Sequence, residues 1–246
     1  MPTANSPLAA IPAGALPDSV YCAMLASICC QNSNASSSPY SCARPVRVVY
    51  DVPDSAPLNV ELRRVIEERE KTHPTTQKSN MGGWQSSWDM DRWGGPAAIK
   101  LLAFARNIAN QMTTDQQGVA GQGPYPGHFA VTWIGNMWAN INRTGHANEY
   151  HSHPGSYWSG TYYVDDGGID ANPDLGGELE FLDPRGPVPL MNAPHLRIAG
   201  NLSAGATERI RPKPGKLVMF PSWVFHQVRP YHGNAERISI AFNLTV

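Results

Sequence analysis

The sequence predicts an α+β fold that is mainly β, an antiparallel sandwich or barrel behind two N-terminal helices. Three observations predict it. Gly and Pro, at 22 residues each in a chain of 246, exceed their usual share and call for many turns. Two amphipathic helical patterns lie in the first half of the chain. From about residue 127 the texture changes to short β-type runs separated by Gly, Pro, Asp and Asn, the spacing of a sandwich or barrel.

Residues 1–45, rich in Ala, Ser, Asn and Pro, read as a peripheral arm, leaving 46–246 as one domain. A strand is expected at 46–50. In 57–73, Leu58, Leu62, Val65 and Ile66 share a helical face with charges opposite. The segment GGWQSSWDMDRWGG (82–95) holds three of the seven tryptophans between glycines. Trp84, Trp88 and Trp93 are candidates for a lid or substrate wall, although packing of the helical layer is the simpler role for them. In 97–112, Leu101, Leu102, Ala105, Ile108 and Met112 recur at helical spacing. Strands are expected at 128–134, 137–142, 158–164, 178–182, 217–220 and 237–246. Helices first and strands later make one α+β domain.

Composition narrows the function. Lys plus Arg is 19 and Asp plus Glu is 20, so no basic field exists to attract nucleic acid or anionic lipid. No stretch approaches the roughly 18 consecutive apolar residues of a membrane span. The N-terminus lacks a basic leader region, and prolines interrupt its apolar run. The cysteines, Cys22, Cys29, Cys30 and Cys42, lack paired C-x-x-C spacing and read as reduced thiols of a cytoplasmic protein.

The chemistry concentrates in three places. His151 and His153, in HSHPGS, would project together from an extended strand, and two imidazoles on one face can chelate an ion such as Zn, Cu, Fe or Ni. His226 ends GKLVMFPSWVFH, where a strand meets a Pro-containing turn. On the last strand Arg237 and Ser239 alternate with Ile238 and Ile240, so guanidinium and hydroxyl share a face and form a candidate carboxylate clamp. An H-x-H pair alone is more often a surface pair, and a lone arginine can sit at a strand edge beside Glu236. His146, His195 and His232 occupy loop-like contexts and read as surface residues.

Taken in order, H-x-H, a strand, GGELEF, PSWVFH and R-x-S resemble the Fe(II)/2-oxoglutarate-dependent oxygenases. The most similar branch carries H-x-H-P-G-S, S-G-x-Y-Y-V, F-P-S-W-x-x-H and R-I-S-x-x-F-N, which here are residues 151–156, 159–164, 220–226 and 237–243. The likeness spans about 133–243, echoes weakly at Trp84-Gln85-Ser86, and runs more loosely to prolyl hydroxylases. It implies a double-stranded β-helix core of jelly-roll, cupin-like type over about 127–246, buttressed by the N-terminal helices.

The resemblance also implies roles. His151 and His226 would be iron ligands. Arg237 would clamp the far carboxylate of 2-oxoglutarate, helped by Ser239 and by the Tyr163 hydroxyl, which could equally be a plain core aromatic. Asn140 and Asn142 are weaker candidates to touch co-substrate or substrate, solvent-facing strand polars being their simpler role. His153 departs from the superfamily, which mostly places Asp or Glu there. It could be the third ligand, a neighbour of a carboxylate ligand such as Glu149 or Asp165, or part of a site with two protein ligands and room for an anion. The first is the expectation, because H-x-H-P belongs to this branch. The implied reaction uses Fe(II), 2-oxoglutarate and O2 to oxidise, most simply to hydroxylate, a C–H bond of a small molecule, releasing succinate and CO2. A homodimer is the default assembly. The rivals are a three-histidine metal enzyme of cupin type that does not use 2-oxoglutarate, and a small-carboxylate binding or sensor protein.

Overall fold

The computed structural model describes residues 47–115, 131–183 and 207–246. The expected arm, its cysteines and His195 lie outside the described residues. In chain order the elements are β1 (Val48–Asp51), α1 (Ser55–Thr72), β2 (Asn80–Met81), β3 (Trp84–Gln85), α2 (Met90–Trp93), α3 (Gly95–Met112), β4 (Ile134–Asn142) and β5 (Ala147–His151). They continue with β6 (Trp158–Asp166), β7 (Leu179–Phe181), β8 (Glu208–Ile210), β9 (Lys216–Pro221), β10 (His226–Val228) and β11 (Arg237–Thr245). The strands form two antiparallel sheets, ordered β1-β9-β6-β11-β4-β3 and β2-β5-β10-β7-β8.

Alternation along the central strands explains the layering. On β11, Ile238, Ile240, Phe242 and Leu244 enter a core with Met137, Ala139 and Ile141 of β4, Trp158, Tyr162 and Val164 of β6, and Leu217 and Met219 of β9. The two long helices cover that face. Leu58, Leu62 and Ile66 of α1, spaced four apart, and Leu101, Leu102, Ala105 and Ile108 of α3 supply their buried stripes. Polar pins join the layers: Tyr162 Oη donates to Asn59 Oδ1 at 2.6 Å and Trp158 Nε1 to Thr113 Oγ1 at 2.9 Å. The opposite faces of the same strands look into the space between the sheets. There a smaller core of Tyr163, Leu179, Phe181, Ile210, Val218, Phe220 and Val224 closes part of the interior.

Two strand expectations change. Residues 131–133 are not a strand, and Ile134 opens β4, which absorbs 137–142 into one run. The reason is pairing: β4 matches β11 at nine consecutive positions, from Thr245↔Ile134 to Arg237↔Asn142. Just before it, Trp133 turns toward the helices, its Nε1 donating to Asn110 Oδ1 at 2.7 Å. The second change is that His153 lies beyond β5, so the two histidines do not project from one strand. Among the described residues no helix is long and apolar enough to cross a membrane.

Candidate metal and carboxylate site

The three histidines converge by two different means. β10 lies between β5 and β7, and its first residue, His226, is register-paired with His151 on one side and with Phe181 on the other. Cross-strand neighbours stand side by side on one face, so these two imidazoles meet through sheet geometry alone, with ring centroids 4.4 Å apart. His153 arrives on the loop after β5, fixed by its backbone N–H donating to the Ser222 carbonyl at 2.9 Å. Its ring centroid is 4.9 Å from that of His151 and 5.1 Å from that of His226. The ligand nitrogens of the three all lie within 4.8 Å of one another.

Their protonation suits a cation. A carbonyl only accepts, so the contacts of His151 Nδ1 with Glu149 O at 2.7 Å and of His226 Nδ1 with Val224 O at 2.9 Å place a proton on each Nδ1. That leaves both Nε2 lone pairs free for a metal. Burial pulls all three imidazoles below their ordinary range, His226 most strongly, and pushes His153 down to about 4 with help from neighbouring His151. The rings are therefore neutral at pH 7, as metal ligands must be.

No carboxylate joins this cluster among the described residues. Asp165 faces the helical layer and is engaged by Arg63 of α1. Glu149 is exposed and contributes its backbone carbonyl to His151 rather than its side chain to the cluster. The two carboxylate alternatives for the third position are thus not brought to the site.

Arg237 opens β11 on the face between the sheets and is 1% exposed. Its Nε donates to Gly177 O at 3.1 Å, and its Nη1 to Asn142 Oδ1 at 3.1 Å and to Ser239 Oγ at 3.3 Å. It forms no ion pair with a described residue, and Asp166, its register partner, is committed to the backbone N–H groups of Gly168 and Asp170. The guanidinium carbon lies 5.3 Å from the Tyr163 ring centroid. The Tyr163 hydroxyl is buried near the Arg237 guanidinium but out of good hydrogen-bond geometry with it, and burial pushes it up to about 12 against the pull of the Arg237 charge. A buried guanidinium without an ionic partner among the described residues, beside a buried hydroxyl, is a setting that can hold a ligand carboxylate. The Gly176–Gly177 turn shapes it: at Gly176, with φ +73°, a Cβ would sit 2.2 Å from the Pro230 carbonyl oxygen, so only glycine fits.

One cavity of about 450 Å3 joins these parts, lined by His151, His153, His226, Tyr163, Arg237, Ser239 and Asn140 together with Phe220 and Leu179. Asn142, which does not line it, orients Arg237 instead. The tryptophan-rich segment divides. Trp88 lines the cavity, joined there by Trp138 of β4, whereas Trp84 packs in the main core with its Nε1 donating to His73 O, and Trp93 lies against Arg69. Lys78, Ser79, Gln85 and Thr161 also line the cavity and went unnoticed in the sequence. For Gln85 the only signal was the weak Trp-Gln-Ser echo.

Comparison with known proteins gives a family match and several similar folds. Residues 136–243 match the family described as "Putative 2OG-Fe(II) oxygenase". No curated protein sequence matches the chain. Among solved structures, the chain is similar to a Pseudomonas putida prolyl-4-hydroxylase, with 18% identity and a TM-score of 0.55 over 81% of this chain and 91% of that one. It is also similar to a Trichoplax adhaerens prolyl hydroxylase bound to a hypoxia inducible factor peptide, with 14% identity and a TM-score of 0.57 over 93% and 90%. A third is a viral collagen prolyl hydroxylase from Paramecium Bursaria Chlorella virus-1, with 12% identity and a TM-score of 0.52 over 81% and 96%. At these identities the structures speak for the fold, a double-stranded β-helix. The family match supplies the cofactors, Fe(II), 2-oxoglutarate and O2, and the three-histidine cluster fits iron.

Proposed function

We propose that this chain, a 2OG-Fe(II) oxygenase over residues 136–243, uses His151, His153 and His226 to hold iron and Arg237 to hold 2-oxoglutarate while it oxidises a C–H bond of a small molecule. The observation that carries the reading is the shared cavity: three neutral imidazoles and a buried guanidinium lacking a carboxylate face the same space. When bound, iron and 2-oxoglutarate supply the oxidation, with O2 consumed and succinate and CO2 released.

The chain's own residues do the rest. The backbone carbonyls of Glu149 and Val224 hold two imidazoles in the tautomer that presents Nε2. Arg237, aimed by Asn142 and Gly177, binds the far carboxylate through its remaining N–H groups, and the Tyr163 and Ser239 hydroxyls stand beside it. Leu179 and Phe220 give the histidine side of the cavity an apolar wall, backed by Phe181, and a low-dielectric wall strengthens charge contacts. The cavity, in the size range of small-molecule sites, supports a small substrate.

The test is Fe(II)- and 2-oxoglutarate-dependent succinate formation with matching O2 uptake, measured in wild type and in His226→Ala. Wild type should show both and the variant neither. Oxygen uptake without succinate would favour the cupin-type rival, in which Arg237 binds the substrate's own carboxylate. Full activity in His226→Ala would sink the ligand assignment.

A further inference from the structure

Beyond the iron and 2-oxoglutarate sites, one wall of the cavity carries chemistry of its own. Lys78 and Arg237 are its lining cations, and no Asp or Glu lines it among the described residues. The Lys78 ammonium stands 5.2 Å from the centroid of the Trp88 ring. Trp88 in turn stacks on Trp138, with centroids 5.3 Å apart and planes at 29°, and Trp138 lies 5.8 Å from the His153 ring. Trp88 is 41% exposed and Trp138 6%, so this aromatic path runs from the cavity mouth inward to the metal cluster.

The wall is built rather than incidental. The Lys78 N–H donates to Asn80 Oδ1 at 2.8 Å, Asn80 is register-paired with Asn148 of β5, and the Glu149 N–H donates to Ser79 O at 2.9 Å. The backbone that bears Lys78 is thereby strapped to the strand that ends in His151. Farther along, Gln85 and Asn140 are register-paired across β3 and β4, 2% and 9% exposed, and both line the cavity. Their side-chain amides make no hydrogen bond to a described residue and face the cavity, so both are free to meet a ligand.

Charge gives the sign of that ligand. Arg237 and Lys78 both line the cavity, Arg237 is assigned to 2-oxoglutarate, and no lining carboxylate among the described residues balances Lys78. We propose that the substrate is a small organic anion. Its carboxylate or phosphate group pairs with Lys78 at the mouth, its planar apolar part lies on Trp88 and Trp138, and its hydrogen-bonding groups meet Gln85 and Asn140. This rests on the oxygenase reading and names the substrate class for the same cavity.

The experiment is calorimetric titration of the Fe(II)- and 2-oxoglutarate-loaded protein, without oxygen, with phenylacetate, phenyl phosphate, phenylacetamide and phenethylammonium. The anions should bind about fivefold more tightly than the amide, the scale of an exposed ion pair, and the ammonium more weakly still. The tighter of the two anions identifies carboxylate or phosphate. Lys78→Met should remove the anion preference while leaving amide and 2-oxoglutarate affinities unchanged, and Trp88→Ala should weaken anion and amide alike. Equal binding of acid, amide and ammonium would overturn the proposal. So would failure of both anions to bind, or an undiminished preference in Lys78→Met. If wild type fails to bind 2-oxoglutarate at all, the oxygenase reading itself falls.

Discussion

Replacing Arg237 with Met separates the folding role of this side chain from its ligand role. Met keeps an apolar stem in the same space and removes the guanidinium. In the ligand-free protein two effects oppose. A buried guanidinium without an ionic partner destabilises by several kcal/mol. Removing it strands the Gly177 carbonyl and Asn142 Oδ1, at about 1–3 kcal/mol each. The terms are of similar size, so ligand-free stability should stay within about 2 kcal/mol of wild type. With 2-oxoglutarate they no longer oppose, because the variant leaves a carboxylate in a dry pocket with no cation. Loss of one partner of a buried pair costs about 3–5 kcal/mol, so affinity should fall at least a hundredfold. At a 2-oxoglutarate concentration about 100 times the wild-type Kd, binding stabilises wild type by about 2.7 kcal/mol and the variant by about 0.4 kcal/mol or less. For a domain of this size the first figure is a shift of about 5–10 °C in Tm. Thermal unfolding of the Fe(II)-loaded protein with and without 2-oxoglutarate, under anaerobic conditions, reads the difference. If Arg237→Met keeps more than half of the wild-type shift, the carboxylate does not bind at Arg237.

Further outcomes follow from the same geometry. Glu180, 4% exposed, accepts from Tyr150, Gln227 and Arg209 at 2.7, 2.6 and 2.5 Å; burial pushes its carboxyl up, but these donors outweigh that and hold it at about 2, below the ordinary 4.5. A lowered folded pKa contributes stability that is full above the unfolded value and lost as pH falls from about 4.5 to 2, at most about 3 kcal/mol here. Glu180→Gln should therefore be less stable in urea at pH 7 and lose that part of the acid dependence; parallel acid curves would contradict the assignment. Asp165→Asn and Glu149→Gln should bind Fe(II) within about twofold of wild type by metal titration, a change too small for a lost ligand. A tenfold loss in either would reinstate a carboxylate at the third position. Gly176→Ala must place a Cβ 2.2 Å from the Pro230 carbonyl oxygen at φ +73°, and should destabilise by about 2 kcal/mol or more. An unchanged Tm would show that the turn relaxes freely.

What the sequence made legible is what alternation encodes. β11 shows Ile238, Ile240 and Phe242 on one face and Arg237 and Ser239 on the other, and the structure uses both faces as the pattern says. The helical stripes of α1 and α3 were equally plain. The short strands were not: β5 and β10 carry polar residues and only five and three positions, so no periodicity marks them. That His226 sits beside His151 is a fact of pairing between distant segments, visible in sequence only through motif order. The reasoning that put His151 and His153 on one strand reached the right neighbours by the wrong route, since a loop anchored to Ser222 brings His153 in. Lys78 and Gln85 were hidden for a related reason. They stand in or beside two-residue strands, whose positions depend on β5 and β4 rather than on local pattern.

The two routes by which the histidines arrive bear on the proposed third ligand position, where the oxygenases these motifs resemble mostly carry a carboxylate. His151 and His226 are set by the register of adjacent strands and by hydrogen bonds from Nδ1 to their own chain, so neither ring can shift without disturbing the sheet. His153 has a backbone anchor, but its ring has no hydrogen-bond partner among the described residues and leans on Trp138. In the proposed iron site two ligands would thus be imposed by the scaffold and the third by a loop, where a change of residue type alters charge without altering the fold. An imidazole there, in place of a carboxylate, removes a negative charge from the metal's surroundings. If the proposed assignment holds, the negative charge that balances iron, Arg237 and Lys78 would arrive with 2-oxoglutarate and the proposed anionic substrate. The binding of those anions and the retention of the metal would then be linked, each favouring the other.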